Sequence, residues 1–141
     1  MKTASNRRLA IALSASLLAA AACAAGHKTP LVPTSRTPAA KGTVETRRTV
    51  NKNTEVNLEV EHLAPPSNVE QNATVYVVWA QPLTPDASPK NLGSLVVGKD
   101  RSGSLKTKTP HERFELIVTP EPSSTVSEPS HEPVMKAKVD R

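Results

Sequence analysis

Side chains that could perform acid–base or metal chemistry are few in this chain of 141 residues. The histidines are His27, His62, His111 and His131. They lack the pairwise spacing of a zinc site, and Met135 is the one soft ligand that follows closely after His131. Two ligands in a loop do not complete a copper site. We therefore expect no metal and no bound cofactor.

Two glycine-containing motifs invite a catalytic interpretation. Gly93-Ser94 lacks the remaining residues of a nucleophile elbow, and no strand-to-helix turn is available to hold one. The segment from Gly98 to Gly103 has the two glycines of a phosphate loop but continues without Lys-Ser or Lys-Thr. It predicts a hairpin turn instead. With no catalytic residue in view, we predict that the protein is not an enzyme.

Charged side chains cluster in two segments. Glu55, Glu59 and Glu61 alternate with apolar residues, which predicts a solvated strand face without an apolar pocket to tune them for acid catalysis. A basic cluster follows, made of Lys99, Arg101, Lys106, Lys108 and Arg113. Such residues protect edge strands from aggregation, and near a membrane they are attracted to anionic headgroups. The cluster is therefore a candidate surface-binding patch.

Cys23 is the single thiol of the chain, and it follows a three-part start. Lys2, Arg7 and Arg8 precede an apolar run of 14 residues from Leu9 to Ala22. This run is too short for a permanent membrane-spanning helix and is typical of a cleaved signal peptide, here residues 1–22. A single thiol in an exported protein cannot form an internal disulfide.

Ala20-Ala21-Ala22-Cys23 resembles the lipobox of bacterial lipoproteins, in which signal peptidase II cuts before a lipid-modified cysteine. The resemblance implies lipidation of Cys23. Since no Asp follows the cysteine, it also implies an outer-membrane lipoprotein that faces the periplasm or the cell surface. Cleavage by signal peptidase I after the alanines is the alternative, and it would give a soluble periplasmic protein.

The charge balance excludes one class of partner. The chain has 18 basic and 13 acidic residues, and three of the basic ones lie in the signal peptide, which leaves 15 against 13. A surplus of two positive charges does not indicate nucleic-acid binding, and export separates the protein from nucleic acid. The expected partners are the membrane, through the lipid anchor, and an unknown protein or polymer of the cell envelope.

Alternating polarity predicts the elements that position these residues. Apolar side chains recur at every second position in residues 56–62, 114–119 and 134–139, and residues 74–80 are apolar on both faces. Residues 44–50, 92–97 and 104–108 are weaker strands, and no helix of useful length is predicted. Seven antiparallel strands in about 100 residues most economically form a two-sheet sandwich, immunoglobulin-like or related. The predicted fold class is all-β.

Composition predicts the domain boundaries. Residues 23–41 contain Pro30, Pro33 and Pro38 with little to bury, and predict a flexible tether from Cys23. Residues 42–141 suit one β-sandwich domain. Its predicted core contains Val77, Trp79, Phe114, Leu116 and Val118. Because Trp79 is the largest apolar side chain, Val75, Val77 and Trp79 are predicted to face inward, with Tyr76 and Val78 on the opposite face.

Four segments carry a further resemblance: Tyr76 to Gln81, Asn91 to Leu95, Phe114 to Pro122, and Pro129 to Met135. In order and spacing they are similar to the extracytoplasmic C-terminal domain of anti-sigma-K-type factors. The resemblance covers about Ala73 to Val139 and implies a β-rich extracytoplasmic module. The zinc-binding, sigma-inhibiting region of that family has no counterpart here. The predicted function is a non-catalytic, lipid-anchored binding or scaffolding module, and the alternative is a sensor module related to anti-sigma factors.

Overall fold

A computed structural model describes residues 25–140 of the protein. Eight strands make up nearly all of its regular structure: β1 (His27–Pro33), β2 (Lys41–Arg48), β3 (Thr54–Glu61), β4 (Val75–Pro82), β5 (Lys90–Leu95), β6 (Gly103–Thr109), β7 (Phe114–Glu121) and β8 (Met135–Val139). A single helical turn, α1 (Pro66–Val69), lies between β3 and β4. The predicted all-β class is confirmed. The predicted signal peptide and Cys23 lie outside the described residues.

The strands follow the polarity of the sequence. Along β3, buried side chains at Thr54, Val56, Leu58 and Val60 alternate with more exposed ones. This period of two places one face of the strand in the core and the other in solvent. Central strands β4 and β7 differ, because most of their side chains are buried on both faces.

All eight strands belong to one antiparallel sheet in the order β5-β4-β7-β8-β1-β2-β3-β6. The outer strands β5 and β6 approach each other, and the Thr107 hydroxyl of β6 donates a 2.9 Å hydrogen bond to the Leu92 carbonyl of β5. The sheet therefore curls into a nearly closed barrel. The predicted seven-stranded, two-sheet sandwich is wrong, because an eighth strand joins the two halves.

That eighth strand is β1, within the segment predicted to be a tether. Residues 27–31 pair with β2, and Val32 and Pro33 pair with β8. The prolines are compatible with this pairing. Proline has no backbone N–H to donate, and a strand that changes partners has positions at which no hydrogen bond of the ladder is required. Leu31 is 4% exposed and belongs to the core. Residues 27–33 are therefore part of the barrel, and the predicted tether is wrong there.

The interior of the barrel holds the main core, which includes Tyr76, Val78, Phe114, Leu116 and Val118. Val77, Trp79 and Ile117 form a second cluster on the outer face of β4 and β7. The predicted inward face of β4 is therefore inverted, although Trp79 is fully buried. Both faces of β4 are apolar, so its alternation alone does not determine which one faces the interior.

The barrel has two ends with different loops. At the proximal end β1 begins, and the β2–β3, β4–β5 and β6–β7 connections lie there, because His27 pairs with Thr46 and Phe114 pairs with both Pro82 and Val139. The β1–β2, β3–β4, β5–β6 and β7–β8 connections form the distal end. Within residues 25–140 no helix has the length and apolar character needed to cross a membrane.

Candidate functional site

The outer face of β4 and β7 is covered by residues 122–134, here called the cover segment. Val126 packs against the Trp79 cluster. The side-chain amide of Asn91 donates 3.0 Å hydrogen bonds to the carbonyls of Ser124 and Val126. Backbone hydrogen bonding between Val134 and Val118 returns the chain to the sheet. The cover segment thus encloses a second, small hydrophobic layer.

A buried carboxylate lies beneath the cover segment. Glu121 has no exposed surface, and its Oε1 accepts hydrogen bonds from the Thr119 hydroxyl at 2.6 Å and from the Ser130 backbone N–H at 3.0 Å. Its Oε2 accepts the Ser130 hydroxyl. The Trp79 indole N–H donates to the Thr119 hydroxyl at 2.9 Å. A buried carboxyl group needs hydrogen-bond partners, so this network accounts for a polar side chain in an otherwise apolar layer.

The same network reaches the surface in an open cleft at the distal end. The cleft has a volume of about 450 Å³ and is lined by Arg36, Glu70, Pro129, Ser130, His131 and Glu132. His131 lies with Nδ1 3.1 Å from the Ser130 hydroxyl and Nε2 3.9 Å from Glu70 Oε1. Three separate parts of the chain therefore bring charged and hydrogen-bonding groups to one place.

Arg36 connects the segments that form this distal cleft. Its guanidinium donates to Glu70 Oε2 at 2.6 Å and to the backbone carbonyls of Val69 and Glu132 at 3.0 Å each. These bonds join the β1–β2 loop to α1 and to the cover segment. A fork of donors that is used in this way fixes the relative position of three loops.

Ser130, His131 and Glu70 are aligned like a nucleophile, a base and an orienting carboxylate. The sequence predicted His131 to be an isolated loop residue, and the structure instead brings it beside two carboxylates. The hydroxyl proton of Ser130 is directed to Glu121, however, and the Ser130 N–H also donates to Glu121. In acyl transfer a free backbone N–H would be needed to stabilise the oxyanion. The arrangement is therefore better suited to holding the cover segment than to attacking a substrate.

A second groove of about 540 Å³ crosses the outer face of β2, β3 and β6, lined by Gly26, Glu45, Arg47, Glu55, Val56, Asn57, Lys106, Thr107 and Lys108. Its charges are largely paired, with Arg47 Nη2 at 2.6 Å and Lys108 Nζ at 3.4 Å from Glu55. The Arg47 hydrogen bond lowers the pKa of Glu55, and Lys108 contributes in the same direction. Exposed ion pairs therefore line this groove. Of the three glutamates predicted to lie on a solvated strand face, Glu55 lies in the groove, and Glu59 and Glu61 are exposed farther along β3.

The predicted basic patch is divided by the fold. Lys99 and Arg101 lie in the β5–β6 turn at the distal end, and Lys108 and Arg113 lie at the proximal end. The seven residues of β6 separate the two groups by about 20 Å. Arg113 Nε also donates to Asp140 at 2.6 Å and lowers the pKa of that carboxyl. The five cations do not form one surface.

The two glycine motifs and His62 lie in turns and at strand irregularities. Gly93 has a φ of 131° and faces a bulge in the β4–β5 pairing, and the turn from Gly98 closes through Arg101. His62 is exposed, with a φ of 57° that takes it out of the alternation of β3. Among residues 25–140, no group of three His, Cys, Asp or Glu side chains has a geometry suited to a metal ion.

Arg36, Glu70 and Glu121 were not predicted as site residues from the sequence. For Glu121 a signal exists: Thr119 and Glu121 are polar residues at alternate positions in the second half of a strand whose remaining residues, apart from Glu115, are apolar. Such a pair on a buried face needs a partner. Arg36 and Glu70 carry no comparable signal, because their contact joins two loops that are 34 residues apart.

Comparison with known proteins does not place the chain in a group. No protein-family model, no curated protein and no solved structure matches it.

Proposed function

We propose that this protein is an exported, lipid-anchored module of the cell envelope that binds a partner without catalysis, with the distal cleft as its binding site. The observation that supports the binding site is the Arg36–Glu70–His131 cluster. This cluster is open to solvent, and it is connected through Ser130 to the buried Glu121 network. A rigid frame that presents a few fixed polar groups lowers the entropy lost on binding.

The charge of the distal cleft indicates the kind of ligand. Arg36 is already paired with Glu70, whereas Glu132 is exposed and has no ion pair in the described residues. Ser130 and His131 add hydrogen-bonding groups at the rim. This set suits a ligand with ammonium or other donor groups, such as the amino groups of envelope peptides.

A titration with a short lysine peptide tests this function, with a glutamate peptide of the same length as the control. NMR amide shifts should change at residues 130–132 and near Arg36 with the lysine peptide only. Glu132→Gln should weaken the response, whereas Glu59→Gln, on the charged sheet face, should leave it unchanged. Equal responses to the two peptides, or shifts confined to the sheet-face groove, would contradict the proposed site.

The lipid anchor has its own test. Cys23→Ser should release the protein from the membrane fraction and leave the signal peptide uncut by signal peptidase II. Mass spectrometry of the mature N-terminus should show an acylated cysteine in the parent protein. Unchanged membrane partitioning with normal processing in the variant would rule out this anchor.

A sensor-type extracytoplasmic module is the second candidate function. It is favoured by Thr119 and Glu121, which belong to the segments that resemble anti-sigma-K-type factors and which together hold the cover segment. A sensor needs a membrane partner to transmit a signal inward. Purification in mild detergent should then give a stoichiometric inner-membrane protein, and its absence would favour the autonomous binding module.

A further inference from the structure

The two ends of the barrel differ in charge. The proximal end, residues 25–28, 46–55, 81–90, 108–115 and 138–140, carries eight basic side chains, Lys28, Arg47, Arg48, Lys52, Lys90, Lys108, Arg113 and Lys138, against five acidic ones, Glu55, Asp86, Glu112, Glu115 and Asp140. The distal end, residues 32–41, 59–74, 95–104 and 118–136, carries five basic side chains, Arg36, Lys41, Lys99, Arg101 and Lys136, against seven acidic ones, Glu59, Glu61, Glu70, Asp100, Glu121, Glu128 and Glu132. The formal charges are +3 at the proximal end and −2 at the distal end. The net charge of the whole chain does not show this difference between the two ends.

The proximal end also presents an apolar side chain on a firm support. Val50 is 98% exposed in the β2–β3 turn. The turn is closed by Thr49, whose N–H donates to the Asn53 carbonyl at 2.8 Å and whose hydroxyl bonds both the N–H and the carbonyl of Asn53. Lys52, also exposed, lies in the same turn. A rigid turn with one apolar and one cationic side chain suits the boundary between headgroups and acyl chains.

The length of chain before β1 limits how far this end can lie from an anchored cysteine. Three residues separate Cys23 from His27, the first residue of β1. Four residue steps span at most about 14 Å when fully extended. A polar headgroup layer is about half that thick, since headgroups add about 10 to 15 Å in total to a hydrocarbon core. The short link and the positive end therefore belong to the same side of the barrel.

We infer that the proximal end docks on a bilayer that carries anionic headgroups, with the Val50 turn at the contact, so that the distal cleft faces away from the membrane. This inference rests on the proposed lipid anchor at Cys23. The chain is not a free domain on a long tether but a barrel seated on its membrane. Attraction of the positive end and repulsion of the negative end select one orientation of the anchored domain.

Fluorescence quenching by brominated lipids tests the orientation in the mature lipoprotein. Acylation consumes the Cys23 thiol, so Val50→Cys leaves one reactive thiol for an environment-sensitive fluorophore. Val96→Cys is the matched control, since Val96 is 72% exposed in the β5–β6 turn at the opposite end. Each labelled protein is inserted into preformed vesicles of phosphatidylcholine and phosphatidylglycerol, with bromines near the glycerol end of the acyl chains.

The label at position 50 should lose fluorescence and shift to the blue, and the label at position 96 should keep the emission that it has in detergent-free buffer. Vesicles of phosphatidylcholine alone, or high salt, should reduce the loss at position 50. Equal quenching at both positions, or quenching at 96 alone, would overturn the orientation while the anchor stands. A protein that stays out of the vesicles and shows a free Cys23 thiol by mass spectrometry would overturn the anchor, and the inference with it.

Discussion

Glu121 is a carboxylate without exposed surface, and its contacts account for the most unusual part of the structure. Each of its oxygens accepts at least one hydrogen bond, from Thr119 or from Ser130, and Ser130 lies nine positions after Glu121 in the sequence. Hydrogen bonds to a charged acceptor in a dry site are stronger than those at a surface. Glu121 therefore holds the cover segment over Trp79.

Replacing Glu121 by Ala should lower the free energy of unfolding by about 2 to 4 kcal/mol, because the buried Thr119 hydroxyl loses its acceptor and Ser130 no longer bonds the cover segment to β7. The emission of Trp79 should shift to the red as the cover segment loosens. Chemical denaturation followed by tryptophan fluorescence measures both effects. Glu115→Ala, on the same strand but partly exposed, should change stability by less than about 0.5 kcal/mol.

Tyr76 is the single tyrosine and its titration reports on the core. Burial raises the pKa of Tyr76 to about 12, and its hydroxyl donates to the Ala64 carbonyl at 2.6 Å. In the unfolded chain the same phenol titrates near 10. Because the folded pKa is the higher one, this stabilisation is present below about pH 10 and is lost as the pH rises towards 12.

The tyrosinate absorbance should therefore show a midpoint near pH 12 in the native protein and near 10 in denaturant. Stability should fall by at most about 2 kcal/mol across this range from Tyr76 alone. In Tyr76→Phe that part of the alkaline loss should disappear, leaving only the effect of lysine titration. A native midpoint near 10 would mean that the hydroxyl is open to water.

At the scale of elements, β1 decides the architecture. Its first five residues pair with β2 and its last two with β8, so it joins the two halves of the sheet. Leu31 points into the core, whereas the next residue, Val32, is 64% exposed. An element that bridges two halves carries more of the fold than its length suggests.

Leu31→Ala should destabilise the protein by about 2 to 5 kcal/mol, the usual range for a buried leucine. Val32→Ala should cost less than about 0.5 kcal/mol, because its side chain is already in solvent. Urea denaturation of the two variants makes the comparison at neighbouring positions. Two equally small effects would restore a flexible tether and remove β1 from the folded unit.

At the scale of the whole molecule, the barrel closes where β5 meets β6. A Cβ atom on Gly103 would lie 2.5 Å from the Val96 carbonyl oxygen. The backbone at these two positions is therefore too close for a side chain at position 103. Leu105 covers Gly93 from across the same junction. Closure thus depends on small residues and on side-chain contacts in place of a continuous ladder of backbone hydrogen bonds.

Gly103→Ala should therefore force β5 and β6 apart and lower stability by about 1 to 3 kcal/mol, as overpacking does elsewhere. Amide hydrogen exchange should rise along β5 and β6 and remain low in β7 and β8. Ser104→Ala, exposed on the same strand, is the control and should be nearly neutral. Unchanged exchange at the junction would show that the sheet tolerates a wider opening.

Local patterns were sufficient to predict seven of the eight strands, because alternation of polarity is a property of neighbouring residues and needs no knowledge of the partner strand. Val56, Leu58 and Val60 show it directly. The solvated face of Glu55, Glu59 and Glu61 follows from the same period of two. Burial of Trp79 and Phe114 was equally predictable, since few other large apolar side chains exist.

Long-range contacts decided the rest. β4 is apolar on both faces, so only the cover segment determines that Trp79 lies outside the barrel and Tyr76 inside it. The prolines of β1 do not follow the usual composition of a strand. Its partners β2 and β8 begin 8 and 102 residues after β1 ends. The distal cleft joins Arg36 to Glu132 across 96 residues, and no local period encodes such a contact. Which residues form a strand depends on their neighbours in sequence. The closure of the barrel, the face of each strand that points inward and the position of the cleft depend on which distant segments come into contact.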